Sequence, residues 1–319
     1  MAMLSAILGL IGAAVYGSAD FLGGLAAKRM RSITVTSIAA FAGLLLLFAA
    51  YPFIGGVWTT ADVAWGALSG VFGVFAIVLL YACLALGPMS ILSPLTAVVS
   101  AIAPMLWGLI VKGEQLSPLA YAGLGVALVA VVLVGFIPGE SVVRPSLRGI
   151  LMAIGSGIAI GGFLVSIDQT TDASGLVPLI VNRGVNGVIT GIAVGVVLVT
   201  AARRRTPDRA ARVLELPLGA TPTGHADLEH TGASPVPARS GLRTGIWLAV
   251  ACGLVDAVAN VLLLIALRLG DLSIVSVLSA MYPAGTIVLA AIVLRERIAV
   301  VQWIGLGLAL VAAGMFALA

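Results

Sequence analysis

The sequence predicts an all-α integral membrane protein with ten transmembrane helices arranged as two inverted five-helix repeats. Three observations carry this prediction: an apolar composition, ten long apolar runs and an internal repeat. Of the 319 residues, 61% are hydrophobic and only 9% are charged, whereas about a quarter of the residues in a typical soluble domain are charged. This composition excludes a soluble globular enzyme, a disordered protein and a nucleic-acid-binding domain, and it makes the lipid bilayer the expected surroundings of the chain.

The ten apolar runs are each long enough to cross a bilayer as a helix, which takes about 20 residues. They are continuous rather than alternating, which favours helices over the strands of a barrel. We call them spans 1 to 10, and they cover residues 3–27, 33–54, 62–86, 90–111, 117–137, 149–167, 176–200, 243–267, 272–294 and 298–318. The one long connection, residues 201–242, is rich in arginine and proline and holds both histidines, so it is predicted to be a flexible polar loop.

Two stretches of the chain recur in its second half. Residues 84–93 match 267–276 at an offset of 183, and residues 114–129 match 296–311 at an offset of 182. Because five helices are an odd number, the second copy must enter the membrane from the opposite side. This predicts an inverted repeat of the kind that transporters use for alternating access. The predicted units are residues 1–140 and 145–319, the second interrupted by loop 201–242.

Lysine and arginine are concentrated on one side of the predicted membrane. The connections from odd-numbered to even-numbered spans hold 14 of them, and the connections on the opposite side hold 2. Basic loops stay preferentially in the cytoplasm. The count therefore predicts a multi-pass protein of the cell membrane with both termini outside and loop 201–242 in the cytoplasm.

Several features of the chain resemble the EamA-type family of the drug/metabolite transporter (DMT) superfamily. They are the ten spans, the two five-span repeats, the segment Tyr-Gly-Ser-Ala-Asp-Phe-Leu at 16–22, and a glutamate after spans 4 and 9, at Glu114 and Glu296. The resemblance covers the whole chain except loop 201–242. It implies a secondary transporter of small metabolites or drugs, commonly an exporter, that is driven by protons or by exchange. It also implies a central cavity lined by spans 1, 3, 4, 6, 8 and 9.

Two features depart from the family pattern. Many members keep both termini in the cytoplasm, whereas the charge count places them outside. Members usually have a short connection between spans 7 and 8, whereas this chain has the long loop 201–242 there. The longer connection is interpreted as an unconstrained insertion or as a cytoplasmic regulatory segment.

Two other classes of function stay open, a non-transporting membrane sensor or channel and a membrane-embedded enzyme acting on lipid. An enzyme would need clustered His, Asp or Ser at a membrane face, and both histidines lie in loop 201–242. No phosphate-binding loop motif is present, so ATP hydrolysis is not predicted. We expect no enzymatic activity, no cofactor, no metal and no nucleic acid. The expected partners are a small-molecule substrate, the bilayer and the proton as a candidate coupling ion, with the chain as a monomer or homodimer.

Ionisable groups inside a span are costly and usually face a cavity. Asp20 lies in span 1, one turn after Tyr16, and Asp256 lies in span 8, one turn before Asn260. Either acid could carry a proton or balance a basic substrate. A structural role stays open for both pairs, as an acid paired with a neighbouring residue for Asp20 and as an interhelical hydrogen bond for Asp256 and Asn260.

Span 7 adds a basic and an amide side chain one turn apart, Arg183 and Asn186. We expect Arg183 to form an ion pair with Asp256 or with Asp168, and substrate contact is the alternative. Three aromatic side chains are further candidates for a cavity wall, Tyr81, Trp107 and Tyr282.

The remaining predicted residues have structural roles. Glu114 and Glu296 occupy equivalent positions of the two repeats, and each is expected to cap the helix that follows it, because helix N-termini attract negative charge. Pro94, Pro104 and Pro283 lie inside spans 4 and 9. Since proline removes a backbone donor, we expect these residues to break or kink the two helices.

Overall fold

The computed structural model of the chain describes residues 2–27, 29–30, 32–86, 89–135, 146–203, 241–294 and 299–319. Across these ranges the regular structure is entirely helical. Nine helical segments there are long and apolar enough to cross a membrane, and a shorter apolar segment, Leu95–Val111, belongs to predicted span 4. The predicted fold class, an all-α multi-pass membrane protein, is confirmed. Most of loop 201–242, including His225 and His230, lies outside the described residues.

The helices follow the predicted spans closely. We number them α1 to α11: Ala2–Ala27, Ser32–Ile54, Thr60–Leu86, Met89–Leu106, Pro118–Gly135, Leu147–Asp168, Val177–Arg203, Gly241–Leu269, Leu272–Ser279, Tyr282–Leu289 and Val300–Leu318. Helices α1 to α8 correspond to spans 1 to 8, α9 and α10 together form span 9, and α11 forms span 10.

Polar residues fix several of the helix starts. The Ser146 hydroxyl accepts a hydrogen bond from the Gly149 main-chain N–H at 3.1 Å, which caps α6. The Ser117 hydroxyl does the same for Ala120 at 3.1 Å, directly before Pro118, and proline is favoured as the first residue of a helix. These caps satisfy main-chain donors that an apolar helix end would leave unpaired in the membrane.

The contacts between helices reproduce the internal repeat. Helix α1 packs on α8 as α6 packs on α3, and α4 packs on α6 as α10 packs on α1. Helix α2 packs on α8 as α7 packs on α3, while α2 with α7 and α5 with α11 pair equivalent helices of the two repeats. Each of these pairs joins a helix of residues 1–140 to a helix of residues 145–319. The two repeats are therefore interlocked rather than lying side by side.

Glycines allow the closest of these contacts. A Cβ atom at Gly157 would lie 2.8 Å from the main-chain oxygen of Thr96, so α6 and α4 touch through their backbones. On the equivalent side of the molecule, a Cβ atom at Gly285 would lie 2.7 Å from the main-chain oxygen of Ala14. A Cβ atom at Gly17 would collide with main-chain atoms of α10. Helices α1 and α10 are thus as closely packed as α6 and α4.

Span 9 is interrupted between α9 and α10, just before Pro283, as the sequence predicts. Since proline has no N–H and its ring excludes the preceding turn, the chain makes a tighter turn there. The N–H of Met281 bonds to the oxygen of Leu278 at 3.0 Å, three residues back instead of four. At this break the C-terminal end of α9, where main-chain carbonyl groups lack partners within the helix, lies beside the start of α10.

The sequence predicts a break or a kink in span 4 as well, and α4 continues through Pro94 and Pro104 without a break. A membrane helix tolerates proline when neighbouring helices accommodate it. Here Gly161 of α6 leaves room for the ring of Pro104. The side chain of Pro94 lies outside the described residues.

Both repeats end this span with a π-helical turn. The turn after α4 covers Trp107–Val111 and the turn after α10 covers Ala290–Leu294. The two turns are equivalent under the repeat, because their offset in the chain is the same as the offset between residues 84–93 and 267–276. The irregularity is thus a property of the repeating unit.

Candidate functional site

A cavity of about 80 Å³ lies where the two repeats meet. Residues of α1, α3, α4, α6, α7, α8, α9 and α10 contribute to its wall. Six of the corresponding spans are those that the family resemblance implies, and α7 is an addition. Its polar lining residues are Tyr16, Ser100, Asn182, Arg183, Asn186, Asp256, Asn260, Ser276, Ser279 and Tyr282.

An ion pair between Arg183 of α7 and Asp256 of α8 lies in the cavity wall. The sequence left two partners open for Arg183, and the structure pairs it with Asp256. The other acid, Asp168, forms an ion pair with Lys112 at 2.9 Å. The side chains of Arg183 and Asp256 are 12% and 16% exposed, so removing one partner would leave the other charge buried and unpaired.

Two amides near this pair bond to the protein itself. The Asn260 side-chain N–H donates to the main-chain oxygen of Asp256 at 2.7 Å, within α8. The predicted alternative was a bond between helices, which this contact is not. The Asn182 side-chain N–H donates to the Ser69 hydroxyl of α3 at 2.8 Å. These contacts fix the faces that α7 and α8 turn toward the cavity.

Two other polar atoms of the cavity wall are available to a ligand. The Tyr16 hydroxyl and the Asn186 carbonyl oxygen are buried, and neither has a hydrogen-bond partner among the described residues. The residues are only 9% and 7% exposed. Since buried polar atoms nearly always have a partner, this pair indicates a place where a polar ligand or water completes the site.

Asp20 is buried at 3% exposure in α1 and is not part of the cavity wall. Tyr16, one turn earlier on the same helix, and Tyr282 of α10 do line the cavity. Asp20 is therefore near the cavity along α1 without forming part of its described wall.

Two of the aromatic residues predicted for the cavity wall, Trp107 and Tyr81, contribute no described side chain to it. Trp107 lies in the π-helical turn after α4, is 38% exposed and is absent from the cavity wall. Tyr81 is part of α3, but its side chain lies outside the described residues, and Glu296 lies outside them altogether. Within the described ranges, no group of His, Cys, Asp or Glu could hold a metal ion.

Glu114 is a cap, but for a helix other than the predicted one. Its carboxylate accepts hydrogen bonds from the main-chain N–H groups of Leu272 at 3.0 Å and Ser273 at 3.1 Å. These groups begin α9, in the second repeat, whereas the prediction assigned Glu114 to α5. The correction has a simple reason, because α5 is already capped by Ser117.

A buried acid at the start of α3, Asp62, is missing from the residues that the sequence singled out. Asp62 is 1% exposed and accepts hydrogen bonds from the Thr59 hydroxyl at 2.6 Å and the Thr171 N–H at 2.7 Å. It ties α3 to the connection between α6 and α7. Threonine followed three residues later by an acid is a capping signal, so residues 59–62 could have indicated this role.

Arg268, at the end of α8, holds the same connection from the other side. Its guanidinium donates to the Thr170 hydroxyl at 2.7 Å and to the Ser174 hydroxyl at 3.2 Å. It also lies 3.4 Å from the carboxylate of Asp172. The face of the molecule that carries the α6–α7 connection is therefore closed by a continuous polar network.

Apolar spans in an inverted repeat, around a central cavity with charged and polar residues in its wall, are typical of membrane transporters. The chain belongs to the EamA-like transporter family, whose sequence model matches residues 3–136 and 231–318. This family is part of the DMT superfamily, so the predicted family is confirmed. It is a family of membrane transporters, which implies a small-molecule substrate and a place in the lipid bilayer.

A solved crystal structure of a protein shares the fold. The TM-score is 0.67 at 16% sequence identity, over 98% of this chain and 97% of that chain. No curated protein matches the chain in sequence.

Proposed function

We propose that this chain is a secondary transporter that moves a small polar metabolite or drug through the central cavity by alternating access. The observation that carries this proposal is the cavity itself, where the Arg183–Asp256 ion pair lies beside the unpartnered Tyr16 hydroxyl and Asn186 oxygen. Charged groups in the middle of a membrane protein are costly and mark substrate or ion pathways. A packing role alone would not leave two buried polar atoms without partners.

The driving force is proposed to be a proton gradient or exchange of solutes. Asp256 in the cavity and Asp20 near it are the acids that could carry a proton while the cavity changes its exposure. Export from the cell follows the common direction of the family. The distribution of basic residues supports a cell-membrane location with both termini outside, and the chain is proposed to act as a monomer or homodimer.

Transport in reconstituted vesicles tests this function. Vesicles loaded with a solute should accumulate the same radiolabelled solute by counterflow, which a channel or a sensor does not do. An imposed pH gradient should drive net flux in a proton-coupled carrier. Asp20→Asn and Asp256→Asn should each reduce that flux, whereas Asp172→Asn, which changes a carboxylate that is 86% exposed, should keep it.

The possible outcomes test the proton carriers, the driving force and the transport function separately. Full pH-driven flux in both Asp20→Asn and Asp256→Asn would exclude these acids as the proton carriers. Counterflow without any response to pH would favour exchange. The absence of counterflow for every solute class would contradict the transport function.

A further inference from the structure

We propose that the central cavity binds a small zwitterion, a molecule with an ammonium and a carboxylate group a few ångströms apart. The ligand separates Arg183 from Asp256 and pairs one of its charges with each. This inference rests on the proposed function, because it takes the central cavity as the substrate site. It deepens that function by naming the charge class of the cargo.

The ion pair distinguishes sharply between ligand charges. An anion would take Arg183 and leave the Asp256 carboxylate buried without a partner. A cation would take Asp256 and leave Arg183 unpaired, and a guanidinium does not lose its proton inside a protein. A neutral ligand would leave the pair closed and use only the neighbouring polar atoms. A zwitterion alone replaces one internal ion pair by two ion pairs to the ligand and leaves no buried charge uncompensated without any uptake of a proton by Asp256.

The unpartnered atoms of the wall complement such a ligand. Asn186 lies one turn after Arg183 on α7, and its free carbonyl oxygen can accept a hydrogen bond from an ammonium group. The Tyr16 hydroxyl belongs to the same cavity wall as Arg183 and Asp256. It can donate to a carboxylate that lies between them. The site thus offers a donor and an acceptor in addition to its two charges.

The rest of the wall limits the size of the ligand. The cavity measures about 80 Å³, and its apolar wall includes Ile160, Phe163, Leu164 and Leu263. A compact zwitterion with a small apolar group fits these features.

The experiment uses sets of four compounds of nearly the same size that differ in charge. Alanine, leucine, β-alanine and 4-aminobutyrate are each compared with the amide, with the acid in which a hydroxyl replaces the ammonium, and with the amide of that hydroxy acid. These blocked analogues are a cation, an anion and a neutral molecule. Ligand-induced shifts in the melting temperature of the purified full-length protein give the affinities, because a ligand that binds the folded state stabilises it by mass action.

We expect at least one zwitterion to bind and each of its blocked analogues to bind about 100-fold more weakly or worse. The cation and the anion each leave a buried charge without a partner, and the neutral analogue forms no ion pair with the site. Arg183→Gln should shift the preference to the cation and Asp256→Asn to the anion. The double variant Arg183→Gln/Asp256→Asn leaves no buried charge without a partner, so it should fold even if the single variants do not. In this variant the four compounds should bind within about tenfold of one another. Asp168→Asn, which alters an ion pair outside the cavity, should keep the original order.

Three results would overturn the inference. They are a blocked analogue that binds as well as its parent zwitterion, a double variant that still prefers the zwitterion, and a panel in which no zwitterion binds. Counterflow in vesicles distinguishes this failure from failure of the transport function. Counterflow of only a cation, an anion or a neutral solute contradicts the zwitterion and leaves transport standing. Binding of a zwitterion without counterflow contradicts transport and leaves the binding site standing.

Discussion

Replacing Glu114 by glutamine should weaken the junction between the end of α4 and the start of α9. The carboxylate bonds to the N–H groups of Leu272 and Ser273 at 3.0 and 3.1 Å, and its side chain is only 6% exposed. Solvent therefore screens these contacts little. Glutamine keeps one carbonyl oxygen but turns an NH₂ group toward the second donor, so one bond and the full negative charge are lost.

The magnitude follows from these contacts. A hydrogen bond to a charged group contributes about 1.5–3 kcal/mol, and a charge at a helix N-terminus adds about 0.3–1 kcal/mol. We expect Glu114→Gln to lose about 2–4 kcal/mol of the free energy of unfolding. At about 2–4 °C per kcal/mol, the melting temperature in detergent should fall by roughly 4–16 °C.

Asp271→Asn is the matched control. Asp271 precedes α9 directly, yet its side chain makes no capping hydrogen bond to that helix. At neutral pH this variant should change the free energy of unfolding by less than about 0.5 kcal/mol. If Glu114→Gln lowers the melting temperature no more than Asp271→Asn does, the interaction between Glu114 and α9 does not stabilise the fold and the reasoning is refuted.

Three further variants test other contacts. Gly17→Ala should lose about 1–3 kcal/mol of stability, because the new methyl group meets main-chain atoms of α10, while Gly24→Ala, with open space around it, should be neutral or slightly stabilising in the same melting assay. Asp62→Asn should raise hydrogen exchange across residues 169–176, since it weakens the bonds to Thr171; unchanged exchange there would exclude Asp62 as a tether. Burial and the nearby Glu114 carboxylate raise the pKa of Asp271 above its ordinary value of 3.8. The folded state then binds a proton more readily than the unfolded state, so the stability of the wild type relative to Asp271→Asn should increase as the pH falls from neutral toward 3.8, and a difference in melting temperature that is flat with pH would contradict this.

The sequence was sufficient for the spans and for the repeat, because both depend on local composition and on matches along the chain. It also identified Asp256, Arg183, Tyr16 and Asn186, since polar groups inside apolar runs are conspicuous. It could not choose the partner of Arg183. That choice depends on how α7 and α8 rotate against each other, and no local pattern determines a contact between side chains on two separate helices.

Long-range geometry also explains the corrections. Glu114 caps α9, which lies in the other repeat, a contact that no helical signature near Glu114 could indicate. The continuous path of α4 through Pro104 depends on Gly161 of a different helix. At Glu114 the sequence indicates a helix cap, and packing between the repeats determines which helix is capped. At Pro104, packing against Gly161 allows the helix to continue.

The interlocking of the repeats has a consequence for the unit of motion. If each repeat moved as a rigid body, nearly every principal helix contact would have to break. The contacts instead join the two repeats throughout, because α4 has its main contact with α6 and α10 has its main contact with α1. Any part of the molecule that moves as one body would therefore contain helices of both repeats.

Two of these contacts, α1 with α10 and α6 with α4, bring backbones together, because Gly17, Gly285 and Gly157 carry no side chain there. The cavity wall takes residues from all four of these helices. The sequence divides into two repeats, but the packing does not, so neither repeat is a unit that could move by itself.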